Sequence, residues 1–206
     1  MYWFYIALWP VVYLLYSNIY SFQNKSIIFN LISAFHSVGC FYLSLITYHT
    51  PIEYNYQRLA LFSASYFIWD SFKLILKNID LPFLYHHIFS IHVLEHIFLL
   101  DVNNFFYIKL IIIGELSNFP NYVVYHLLKT KGKDDSKTKY WRHIQVIWFL
   151  FFRIIVFSFI LIKLHKILDD KLIIFNLYAM YILGIIWGFK QFKGLYQDYY
   201  QKIKDN

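Results

Sequence analysis

The chain has 206 residues, 59% of them hydrophobic and 23% aromatic, with charged residues at only 15%, well under the roughly 25% usual in soluble globular proteins. That balance points to a membrane. The single cysteine, Cys40, excludes an intramolecular disulfide, and the net charge of +7 is the positive bias expected of cytosolic loops, not a nucleic-acid surface.

Apolar runs of about 20 residues are long enough to cross a bilayer core of about 30 Å as helices. Seven such runs follow one another at 2–22, 27–48, 58–77, 83–101, 105–128, 144–165 and 172–190. No sharp caps are legible at their ends. The first run has neither a basic leader nor a small-residue cleavage site and reads as a retained helix. The second contains SAFH, Ser33 to His36, and the third YFIWD, residues 66 to 70. The fourth, FLYHHIFSIHVLEHIFLLD, packs four histidines and Glu95 into an apolar stretch, which hydrocarbon tolerates only when these groups face protein, water or ligand.

The fifth run contains GELSNFPNY, residues 114 to 122. Pro120 has no N–H to donate and crowds the preceding turn, so a kink is expected near Glu115, Ser117 and Asn118, with freed carbonyls facing a polar cavity. The basic segment 129–142 is expected to be a loop. The sixth run carries Arg153, which would pair with Glu115 or Asp70 or bind a lipid phosphate or carboxylate. The seventh leads into WGFKQFKG, residues 187 to 194. These elements predict an all-α fold: one polytopic membrane helix bundle over 1–206 with about seven transmembrane helices. The side holding Lys25, Lys73, Lys77, the 129–142 segment and the C-terminal tail collects 13 Lys and Arg against 5 on the other. That bias places the N-terminus in the lumen or exterior and the C-terminus in the cytosol.

HVLEH, residues 92 to 96, matches the two-histidine zinc pattern H-x-x-E-H. His92 and His96 lie about 40° apart on a helix, but His87 is about 180° from His96 and cannot join them, so a third ligand would have to come from His36, Glu115 or Asp70. No clustered histidine boxes of the di-iron type appear elsewhere, so no metal is expected.

The ordered motifs resemble the TLC domain, the family of TRAM, the Lag1 ceramide synthases and the CLN8 protein. SAFH, YFIWD, the pair His86–His87, GELSNFPN, the Phe-Phe-Arg stretch ending at Arg153 and WGFKQFKG resemble that family's motifs in order over about 33–194. Gly184 stands where the resemblance would place an Asn, and Glu115 and Ser117 stand in place of a later Asp pair. The chain is thus more similar to the small TLC-domain-containing proteins than to full ceramide synthases.

The resemblance implies a protein of lipid homeostasis in the endoplasmic reticulum or another internal membrane, binding a long-chain lipid. If it is catalytic, His86 and His87 would be base or nucleophile, oriented by Asp70 or Glu115. His36, Ser117, Asn121 and Arg153 would contact lipid. No resident cofactor is implied; fatty acyl-CoA would be the cosubstrate and a sphingoid base the acceptor. The alternatives are a noncatalytic lipid sensor, carrier or regulator of acyl composition and, third, a metal-dependent membrane hydrolase using HVLEH.

Overall fold

In hydrocarbon every backbone polar group must find its partner within the protein, and runs rich in Ile, Leu, Phe and Tyr meet this demand as helices. A computed structural model describes residues 2–19, 25–77, 80–100 and 104–204, all-α with no strand among them. The helices are α1 (Tyr2–Ile19), α2 (Lys25–His49), α3 (Glu53–Lys77), α4 (Leu81–Phe98), α5 (Asn104–Thr130), α6 (Ser136–Leu150), α7 (Phe157–Ile167) and α8 (Lys171–Lys204). A π-helical segment, Phe151–Val156, joins α6 to α7 in one rod. The described residues thus form seven continuous helical rods at the seven predicted places. Residues 20–22 of the first run and Asp101 of the fourth lie outside the described residues.

Four rods are long and apolar enough to cross a membrane: Lys25–His49, Glu53–Leu76, Ser136–Ile167 and Lys171–Gln197. Large apolar side chains such as Phe72, Ile147, Phe159 and Phe175 stand exposed on them, as helices solvated by lipid require.

The chain divides into two compact units, Met1–Glu115 and Leu116–Asn206. In the first, α1, α2 and α3 pack on one another and α4 lies along α3. Its core is aromatic: Trp9 is fully enclosed, its ring edge-on to Phe62 and Tyr66 with centroids 5.1 and 5.0 Å away. The Trp9 indole donates to Ser65 Oγ at 2.9 Å, which satisfies its one buried donor. Gly39 permits the close approach of α2 to α3, since a Cβ there would stand 2.6 Å from the Phe62 ring. In the second unit, the α6–α7 rod packs along α8.

Two expectations need correction. The segment 129–142 is mostly helical: α5 runs to Thr130 and α6 begins at Ser136. Gly132, at φ +83°, makes the left-handed turn out of α5. Sharp caps also exist. Asp135 accepts from the Thr138 N–H at 3.0 Å to start α6, and Asp170 accepts from the Leu172 and Ile173 N–H groups at 2.8 and 3.1 Å to start α8. Asp80 likewise stands at the N-cap of α4. Each carboxylate satisfies N–H groups that the first helical turn leaves unpaired.

Candidate functional site

Within the first unit the structure brings the early motifs into contact. Tyr66 Oη donates to Ser33 Oγ at 2.8 Å, and the Tyr66 ring stacks on the His36 imidazole with centroids 3.9 Å apart. SAFH and YFIWD therefore grip each other through one tyrosine. One turn on, the Asp70 carboxylate lies against two basic groups: Oδ1 pairs with Lys73, and Oδ2 lies 3.5 Å from His87 Nε2. On the other side of the ring, His87 Nδ1 is 3.1 Å from Ser71 Oγ. A tautomer with its proton on Nε2, toward the carboxylate, leaves Nδ1 to accept from the serine hydroxyl.

Asp70, His87 and Ser71 thus form a chain of acid, imidazole and hydroxyl at the α3–α4 contact. Asp70 and His87 are both buried. Only one of two adjacent helical histidines can face a given partner, being about 100° apart, and that one is His87. His86 is half-buried, its ring 5.9 Å from Phe67 and 5.8 Å from His87. Phe67 also meets His36 edge-on at 5.3 Å and His87 at 5.2 Å, so one ring separates the two buried imidazoles.

Glu115 lies with His36 rather than beside His87. His36, Cys40 and Glu115 bring one ligand atom each to within 4.8 Å of one another, the grouping among the described residues that could hold a metal. Ser63 already bridges two of them, with its Oγ 3.0 Å from His36 Nε2 and donating to Cys40 Sγ at 2.8 Å. Spacing of i to i+4 on α2 supplies His36 and Cys40 from one helix face. In HVLEH, His92 Nδ1 sits 3.6 Å from Glu95, so the glutamate serves as the histidine's partner.

The second unit holds the remaining predicted residues. Arg153 lies in the π segment, buried, and its Nε donates to the fully buried Ser117 Oγ at 2.8 Å. A π turn adds a residue to the helical turn and shifts the faces on either side, a device frequent at functional positions. Asn121 Oδ1 accepts from Gln145 Nε2 at 2.9 Å and from Gln191 Nε2 at 3.5 Å, joining α5, α6 and α8.

The proline's freed carbonyl has a definite destination. Helix α5 continues through Pro120, which leaves Leu116 O without its intrahelical donor; the Trp148 indole donates to it at 2.8 Å. It therefore does not face an open polar cavity, as the sequence suggested.

Residues that sequence reasoning missed are Ser71, Ser63, Cys40, Trp148, Gln145 and Gln191. The serines lie in or beside recognised motifs, one residue or one turn away. The glutamines carried no signal. Compared with protein-family models, curated proteins and solved structures, the chain matches none.

Proposed function

We propose that this chain is a TLC-like multi-pass membrane protein of lipid homeostasis that binds a long-chain lipid and transfers its acyl group, with Asp70, His87 and Ser71 as the working centre. The observation that carries this reading is the buried acid–imidazole–hydroxyl chain, which joins two of the motifs that carry the resemblance. Such a chain fixes a tautomer and orients a base.

In an acyl transfer, an amine attacks the thioester carbonyl of a fatty acyl-CoA. The imidazole of His87 takes the amine proton, the C–S bond breaks, and the departing thiolate takes that proton back as the amide forms. Asp70 stabilises the imidazolium between these steps, and His86 is the second imidazole at the same helix turn. Lys73 and Lys77 follow Asp70 on α3, and the positive bias of cytosolic ends supports a centre toward the cytosolic leaflet, where acyl-CoA is supplied. The endoplasmic reticulum or a related internal membrane is the proposed setting.

A noncatalytic carrier or sensor is the second reading, and it has its own observation: both nitrogens of His87 face partners within the protein. Protein in lipid nanodiscs, incubated with a fatty acyl-CoA and a sphingoid base, separates the two by mass spectrometry of the N-acyl product. The proposal expects product from the wild type and a loss of roughly a hundredfold or more in His87→Gln at unchanged melting temperature. Product formation unaffected by His87→Gln sinks the catalytic role; bound lipid without turnover in the wild type selects the carrier.

A further inference from the structure

In the second unit, α5, α6 and α8 enclose a cleft of ≈ 320 Å³, a volume at the small end of ligand pockets. Its polar groups are of two kinds. Arg142 and Lys190 bring a guanidinium and an ammonium from different helices, and Lys190 makes no ion pair among the described residues. Asn121, Gln145 and Gln191 form the amide junction already described. One acceptor is left over: Gln191 Oε1 is enclosed and has no hydrogen-bond partner among the described residues. A buried amide oxygen without a donor costs free energy until a ligand supplies one.

The rest of the wall is apolar, with Val124, Leu128, Val146 and Leu195. The cleft lies at the end of the unit where α5 stops at Thr130 and α6 starts at Ser136, beside the lysines of the intervening turn. This is the depth at which basic pockets between membrane helices meet lipid headgroups.

We propose that this cleft binds the headgroup of an anionic glycerophospholipid whose phosphate bears a hydroxylated substituent, of the phosphatidylglycerol or phosphatidylinositol class. Arg142 and Lys190 take the phosphate, and a headgroup hydroxyl donates to Gln191 Oε1. The acyl chains leave along the apolar wall into the bilayer. One molecule then brings its phosphate to Lys190 beside the Arg142 guanidinium and a donor to the lone acceptor, which a zwitterionic choline lipid, with no hydroxyl donor and a cation of its own, does not achieve. The volume admits a headgroup and not a whole lipid. The proposal rests on the membrane placement of the helices but not on acyl transfer.

Native mass spectrometry of the full chain in mild detergent tests it, with dihexanoyl phosphatidylglycerol, phosphatidylcholine and phosphatidic acid as probes and coenzyme A as a soluble phosphate. Phosphatidylglycerol is expected to bind roughly tenfold or more tightly than phosphatidylcholine, and the double variant Arg142→Gln/Lys190→Gln to lose that margin. Gln191→Leu should erase the preference for phosphatidylglycerol over phosphatidic acid and leave the charge-dependent part. Gly194→Val keeps every charge but adds bulk next to Arg142, whose guanidinium lies 3.6 Å from a Cβ at that position, and should also weaken binding. It therefore tests the cleft even if the double variant does not fold. Equal binding of the choline and glycerol lipids, or undiminished binding in a folded double variant or in Gly194→Val, overturns the proposal. Displacement of phosphatidylglycerol by coenzyme A at equal concentration also overturns it, in favour of a soluble phosphate ligand. His87→Gln should leave this binding unchanged, so failure here and failure of the acyl-transfer reading are separable.

Discussion

Leu116, Pro120 and Trp148 form a small closed account of hydrogen bonding. The proline removes the donor that Leu116 O would use, and the indole 32 residues away replaces it. Trp148→Phe should therefore cost about 1 kcal/mol, the net worth of the lost hydrogen bond to a carbonyl that has no intrahelical donor. In a Pro120→Ala background the restored N–H should serve Leu116 O and shrink that cost, a coupling that a double-mutant cycle of thermal or denaturant unfolding measures. Additive costs would contradict the assignment. Gly39 gives a second test by close packing. Gly39→Ala sets a methyl against Phe62, whose ring stacks on His36 with centroids 5.7 Å apart, and should destabilise by about 1–3 kcal/mol through overpacking. A neutral substitution would show that α2 and α3 are not so closely apposed.

The helix starts carry their own chemistry. The Thr138 N–H bonded to Asp135 holds its carboxyl below the ordinary value of 3.8. A lowered folded-state pKa contributes stability that is fully present above the unfolded value and lost as pH falls through the folded one. Wild type should thus melt above Asp135→Ala at neutral pH, and the two should converge as the medium is acidified well below 3.8; a gap that widens toward acid would contradict the cap. The same turn reports orientation. Asp135→Cys should be modified by an impermeant thiol reagent only from the cytosolic side, as the 13 to 5 charge bias requires, and labelling only from the opposite side would reverse the topology. For the histidine helix α4, elemental analysis should find no stoichiometric zinc or iron: His92 is turned to Glu95, and Ser63 occupies the bridge between His36 and Cys40. One metal per chain, lost on His36→Ala or His92→Ala, would show that a ligand set does form.

Across the molecule, the helices were legible in sequence wherever apolar residues ran long enough to demand internal backbone pairing, as in α2, α3 and α8. Helix α4 was fainter because its histidines and glutamate dilute the apolar signal. The caps escaped because a lone Asp beside another polar residue looks like any loop carboxylate until its partner N–H is located. Asp70, His87 and Arg153 were legible because charge and imidazole are costly at membrane depth; Ser71 was not, because a serine on a membrane helix commonly bonds its own backbone, as Ser44 does to Cys40 O. The partners of Asn121 were hidden for a plainer reason, since Gln145 and Gln191 are 24 and 70 residues away. The central claim, that the protein handles a long-chain lipid at the Asp70–His87–Ser71 centre, is tested most directly by mass spectrometry of lipid copurified with the full chain in mild detergent, against the host membrane. The account predicts wild-type protein enriched in long-chain species over that membrane, and His87→Gln, folded and melting normally, with an altered bound population. Wild type and His87→Gln carrying the same lipid mixture as the host membrane would contradict it.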